Sequence, residues 1–193
     1  EANRVVHQTA LEEAELHGMG TTLTTLAVSQ EANTHQFVIL NVGDSRVYRH
    51  RDGQLEQLTE DHSYVAELVR RGELDDEAAQ VHPYRNMLTR AIGVHAEVEI
   101  DEWLLEPVSG DRFMLCSDGL TNELADLEIA EQLRFDKDPS TTAKALVGLA
   151  NERGGRDNST VLIVDVQVEV IDPDEPPLSS GTSESQGRIS SSP

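Results

Sequence analysis

The chain has 193 residues and sets 15 Lys and Arg against 36 Asp and Glu, a formal net charge of −21. Such a field repels phosphate backbones and anionic lipid, which argues against nucleic acid or a membrane surface as partner and favours divalent cations. Cys116 is the single cysteine and no apolar run approaches the roughly 20 residues of a bilayer span, so disulfide scaffolds and transmembrane helices are excluded and a cytoplasmic monomer is expected.

In chain order, Val5, Val6, Thr9, Ala10, Glu13 and Leu16 lie on one helical stripe that His17-Gly18 ends. Thr22 to Val28 and Gln36 to Val42 read as strands. Ser45 to His50 and Gln54 to Leu58 flank Arg51-Asp52-Gly53, a hairpin signal because the turn needs positive φ. Tyr64 to Arg71 is a short helix closed by Gly72, and Asp75 to Ala79 begins another. Met87 to Ile92 reads as a strand of ambiguous period, Val98 to Leu105 alternates, and Arg112 to Cys116 is an apolar run suited to a buried strand. Two helices follow, Leu127 to Arg134 after Asp126 as N-cap and Thr141 to Arg153 stopped by Gly154-Gly155. Ser159 to Val170 is the last strand. Residues 1–170 thus form the expected domain and 171–193 a disordered Pro- and Ser-rich acidic tail or linker. Hairpin-like strands with helices near both ends predict an α+β fold with antiparallel sheets.

Three acidic segments close or open these strands: Asn41-Val42-Gly43-Asp44-Ser45-Arg46, Cys116-Ser117-Asp118-Gly119-Leu120 and Gly155-Arg156-Asp157-Asn158-Ser159. Taken singly, each is first a turn former. Carboxylates from three strand ends that met at one point would repel unless a cation lay between them, and oxygen-only ligation suits Mg²⁺ or Mn²⁺. The residues alone reach an acidic α+β domain with room for such a site. Ser45, Ser117 and Cys116 have no His within their motifs, so they read as structural rather than nucleophilic. The seven His residues show no zinc spacing.

Ordered segments then narrow the reading. Gly18-Met19-Gly20-Thr21-Thr22, Asn41 to Tyr48 (NVGDSRVY), Leu58 to Ser63 (LTEDHS), Leu88 to Gly93 (LTRAIG), Asp111 to Leu120 (DRFMLCSDGL) and Gly154 to Val161 (GGRDNSTV) resemble the motifs of the metal-dependent protein serine/threonine phosphatases, the PPM or 2C type, in their bacterial form. The resemblance runs from about Gly18 to Val168. It implies two antiparallel sheets packed as a sandwich flanked by helices, with two Mn²⁺ or Mg²⁺ ions and, in bacterial members, a third and weaker site. By the same resemblance Asp118 and Asp157 are terminal metal ligands and Asp44 joins Asp118 at the third metal. Gly119, Asn158 and Ser45 support them, and a mobile flap from His62 to about Asn86 borders the substrate groove. Within that flap His62, Arg70, Arg71, Arg85 and Asn86 are the candidate substrate-facing residues, although paired basic residues at a helix end, such as Arg70 and Arg71, commonly answer its dipole.

The implied reaction is hydrolysis of phosphoserine and phosphothreonine in proteins by a metal-bridging hydroxide, with phosphorylated proteins and a cognate Ser/Thr kinase as partners. One departure stands out. Nothing from Glu1 to His17 matches the family's upstream DGMGG-type motif or its phosphate-binding Arg, so the chain is expected to be truncated and inactive or nearly so by itself. Two alternatives remain at this level, a catalytically silent interaction module of the same fold and a regulator phosphatase acting on an anti-sigma-factor antagonist.

Overall fold

Seven strands and six α-helices form among the residues that the computed structural model describes, 1–31, 34–134 and 137–168. The expected tail, 171–193, lies outside the described residues. Strands β1 (Leu23–Glu31), β2 (Thr34–Val42) and β5 (Asp101–Leu105) make one antiparallel sheet in the order β1-β2-β5. Strands β3 (Arg46–Arg51), β4 (Gln54–Gln57), β6 (Arg112–Cys116) and β7 (Val161–Asp165) make a second, in the order β4-β3-β6-β7, again all antiparallel.

The sheets face each other across Phe37 and Ile39 on one side and Val47, Phe113 and Leu115 on the other, with Val166 closing the end. The Phe37 and Phe113 rings meet edge to face at 5.4 Å, a favoured aromatic geometry. The opposite face of the second sheet turns Tyr48, Met114, Cys116 and Ile163 toward helices α4 (Asp118–Thr121), α5 (Asp126–Gln132) and α6 (Pro139–Arg153). Leu120, Leu124, Ile129, Leu133, Leu146 and Ala150 fill that second core. Strand β6 is therefore buried on both faces, which is why Arg112 to Cys116 is apolar without alternation. The expected sandwich of two antiparallel sheets flanked by helices is what forms.

Arg112 is the exception inside that strand, 1% exposed. Its guanidinium donates to Asp165 at 2.6 and 2.7 Å and to the carbonyls of Leu133, Arg134 and Lys137, so one cation ties β6, β7 and the α5–α6 connection together. A buried charge is tolerable only with such complete pairing. The β3–β4 hairpin turns on Asp52 and Gly53, both at positive φ (50° and 80°), as the Asp-Gly pair predicts.

Several elements differ from the sequence expectation. Helix α1 (Ala2–Glu12) stops short of Leu16, because Glu13 is extended and a 3₁₀ turn, Ala14–Leu16, follows. Met87 to Ile92 forms no strand. It makes only single bridges, Ser63 to Leu88 and Thr21 to Ile92, so its apolar residues serve loops that pinch the chain rather than a ladder. Strand β5 begins at Asp101, not Val98, and the last strand ends at Asp165. Asp126 is the first residue of α5 rather than its cap; the cap is Ala125, whose N–H is satisfied by Glu128 at 3.1 Å. Asp138 caps α6 by accepting from the Thr141 N–H at 3.0 Å, with Pro139 in the first turn.

Candidate metal centre

In the second sheet Arg46 pairs with Cys116, and Cys116 pairs with Val161, so the start of β3, the end of β6 and the start of β7 lie in one row. Asp44, Asp118 and Asp157 sit just outside that row. Topology therefore brings the three acidic turns to the same end of three neighbouring strands.

Two of the turns are stitched together. The Ser117 N–H donates to the Thr160 carbonyl at 3.1 Å, and the Ser117 hydroxyl accepts from the Thr160 N–H at 3.0 Å while donating to the Asn158 carbonyl at 3.3 Å. Gly119 lies so close to the Asn158 carbonyl that a Cβ there would overlap it, so only glycine lets the segments of Asp118 and Asp157 approach this closely. Arg156 adds an outer brace, donating to Glu123 at 2.7 Å and to the Asn122 carbonyl at 3.0 Å, and Asn122 in turn donates to the Asp118 carboxylate at 3.2 Å. The Glu123 carboxyl is held below its ordinary range, chiefly by that hydrogen bond from Arg156. Asp157 is exposed and accepts from the Asn158 N–H at 2.7 Å.

The third turn is set by Gly43 at φ +111°, where a side chain would strike Thr22. Thr22 also exchanges a 2.9 Å hydrogen bond with the Ser45 hydroxyl, which fixes Ser45 as a structural support. The Asp44 carboxyl is pushed up to about 6, first by burial and then by the negative charges of Asp118 and Asp61, against the opposing pull of its own backbone N–H and Arg46. Asp44 and Asp118 are thus electrostatic neighbours, and their mutual strain is of the kind that a hard divalent cation relieves. The donor chemistry fits such an ion. The ligand number does not reach a complete shell, since among the described residues no three His, Cys, Asp or Glu side chains converge to hold one.

Nothing in the sequence pattern marked Asp61 or Arg46 for a role beyond their motifs. Both Asp61 oxygens are taken by Arg46, Nε at 2.9 Å and Nη2 at 2.7 Å, while Arg46 Nη1 reaches the Tyr48 hydroxyl at 2.8 Å. The only available signal was the charge pairing between NVGDSRVY and LTEDHS, which needs the fold to become visible.

The flap segment carries α2 (Tyr64–Arg70), capped by the Ser63 hydroxyl, and α3 (Asp76–Val81), capped by Asp75. Its two ends are pinched together where the Tyr64 N–H meets the Met87 carbonyl at 2.8 Å. Tyr64, His82 and Tyr84 cluster with ring centroids 5.7–6.0 Å apart. Arg70 is bound to Glu60 and the Asp61 carbonyl, and Arg71 pairs with Glu67 one turn away, while Arg85 and Asn86 are exposed. His62 corrects the expectation of a substrate-facing group. It is 2% exposed, and its ring links the buried Gly43 N–H to the half-buried Asp101 carboxylate.

A family profile described as Protein phosphatase 2C matches residues 2–147. The chain belongs to that family. The chain is 44% identical over 165 residues to the serine/threonine phosphatase stp of Listeria monocytogenes, covering 86% of this chain and 64% of that one, so it spans under two thirds of that relative's length. It is similar to the serine/threonine protein phosphatase PstP of Mycobacterium tuberculosis, 40% identical over 154 residues, which covers 80% of this chain and 29% of that protein. The crystal structure of PstP superposes at a TM-score of 0.77 with 37% identity, covering 86% of this chain and 68% of that one. This protein phosphatase 2C chain therefore shares the fold of those enzymes as well as their motifs. No helix among its described residues is long and apolar enough to cross a membrane.

Proposed function

We propose that the protein takes part in hydrolysing phosphoserine and phosphothreonine in proteins, with Mn²⁺ or Mg²⁺ held by Asp118, Asp157 and Asp44. The observation that carries this reading is the alignment of three acidic turns at one sheet end, where Asp44 is raised first by burial and then by the charge of Asp118. A related structure, the catalytic domain of PstP, is described as a complex with two manganese ions, and it matches this chain at 36% identity with a TM-score of 0.75.

In this reading a bound metal pair supplies a water of lowered pKa and shields charge on the phosphoryl oxygens. The chain's own residues set where that happens. Asp118 and Asp157 present carboxylates from turns locked by Ser117 and Gly119, Asn158 shapes the second turn, and Ser45 with Thr22 fixes the third. Arg85 and Asn86, exposed on the flap, face incoming phosphoprotein, with Arg70 and Arg71 flanking them. The Cys116 thiol is buried and the Ser117 hydroxyl is engaged with Thr160 and Asn158, so neither is set up as a nucleophile for a covalent phosphoenzyme. Action inside the cell, opposite a Ser/Thr kinase, follows from the substrate class and is part of the proposal. Because no three His, Cys, Asp or Glu side chains converge among the described residues, the 193 residues by themselves are expected to bind Mn²⁺ weakly and to turn over little.

The test is Mn²⁺-dependent hydrolysis of a phosphothreonine peptide by the full-length protein. Asp118→Asn and Asp157→Asn are each expected to lower the rate by more than about 100-fold, beyond the 10–100-fold typical of residues that only support a ligand. Wild-type rates in both variants would refute the assignment.

A further inference from the structure

The imidazole of His62 occupies a position that no role so far assigned to the chain explains. Four hydrogen bonds converge on this residue. Its N–H donates to the Gly43 carbonyl at 3.0 Å and its carbonyl accepts from the Thr89 N–H at 2.9 Å. On the ring, Nδ1 accepts from the Gly43 N–H at 3.0 Å, and Nε2 lies 3.1 Å from Asp101 Oδ2. The Gly43 N–H can only donate, so Nδ1 must be the unprotonated nitrogen and the ring proton is the one given to Asp101. Asp101 is itself held by Arg90, from the loop that closes the flap.

We infer that His62 is a positioning residue for the Asp44 metal ligand, and that it ties the cation turn to the base of the flap. The inference rests on the metal reading proposed above. Gly43 is buried and precedes Asp44 directly, in a backbone conformation few other residues adopt. A buried N–H that loses its acceptor costs enough to turn the peptide plane over, and the plane between Val42 and Gly43 sets the direction in which Asp44 leaves the strand. Asn41, whose side chain donates to the Gly43 carbonyl at 3.2 Å, holds the other side of the same residue but offers the N–H nothing. Among the described residues only the imidazole does that. The residue after His62 is Ser63, the cap of α2, so the side chain that aims Asp44 is one peptide bond from the first flap helix. The link between the Asp44 turn and the start of α2 therefore runs through the ring as well as through the sheet.

Two substitutions separate the ring's halves. His62→Asn puts an acceptor where Nδ1 stands, and His62→Gln puts a donor where Nε2 stands. In the full protein, Mn²⁺ affinity is read by the electron paramagnetic resonance of free Mn²⁺, and exchange of the Gly43 amide is read by NMR without metal. His62→Gln is expected to weaken the Asp44-dependent Mn²⁺ site about tenfold and to expose the Gly43 amide, while His62→Asn stays near wild type in both. Equal behaviour of the two variants, whether both intact or both impaired, overturns the inference. Should the glutamine variant fail to fold, Asp101→Ala takes its place, since it frees Nε2 and lets the ring turn; unchanged Mn²⁺ affinity there has the same consequence. Asp118→Asn serves as the control for the metal reading itself. If it leaves Mn²⁺ binding intact, that reading fails, whereas lost binding beside indistinguishable His62 variants removes only the positioning role.

Discussion

Asp44 is a strained acid in the absence of a cation, and its strain has a measurable sign. Its folded value of about 6 lies above the ordinary 3.8, so the folded state keeps a proton that the unfolded state has released. Stability of the metal-free protein must then fall as pH rises through that window and level off above about 6. Asp101 contributes the opposite slope at lower pH. Burial alone would raise it, yet hydrogen bonds from His62 and Arg90 hold it below the usual range, and its support is lost only as pH falls through its own lowered value. Thermal melts in chelator between pH 4 and 7 are expected to show the Asp44 decline, and Asp44→Asn to remove it and raise the melting temperature at neutral pH by roughly 2–4 °C per kcal/mol regained. Excess Mn²⁺ is expected to abolish the decline in the wild type.

At the scale of elements, strand β6 and its buried Arg112 hold the helical layer to the sheet. Arg112→Leu removes the cation but leaves Asp165 and three carbonyls to find partners, so a loss of about 3–5 kcal/mol in chemical denaturation is expected. A loss below about 1 kcal/mol would mean water reaches those groups. Much of this framework was readable from residue order. The Asp-Gly hairpin, the apolar β6 run and the glycine stop of α6 each rest on local chemistry, and each forms where expected. The failures share a cause. Met87 to Ile92 bridges Ser63 and Thr21 only singly, and no periodicity reveals a partner that distant in sequence. The acidic turns were equally legible as motifs, whereas the row of Arg46, Cys116 and Val161 that lines them up is a property of strand order alone. His62 was expected to face substrate on the flap, and only its burial between Gly43 and Asp101 reveals a joint.

For the whole molecule, a net charge of −21 makes the surface a reservoir for cations. Raising NaCl from about 0.01 M to about 0.15 M shortens the screening length from about 30 to about 8 Å, so Mn²⁺ affinity is expected to fall while thermal stability rises as self-repulsion is damped. Calorimetric titration and melting at the two salt levels check both arms. Affinity that did not change with salt would place the binding energy entirely in first-contact ligands.

Cys116 ends the most enclosed strand two residues before Asp118, and burial pushes its thiol up to about 12. Thiolate is the form that peroxide and alkylating agents attack, and at neutral pH this side chain supplies almost none of it. The Cys116 thiol is thereby kept unreactive in the folded state. Iodoacetamide applied to the folded 193-residue chain is expected to leave Cys116 unlabelled, and to label it once the chain is denatured, as read by mass spectrometry.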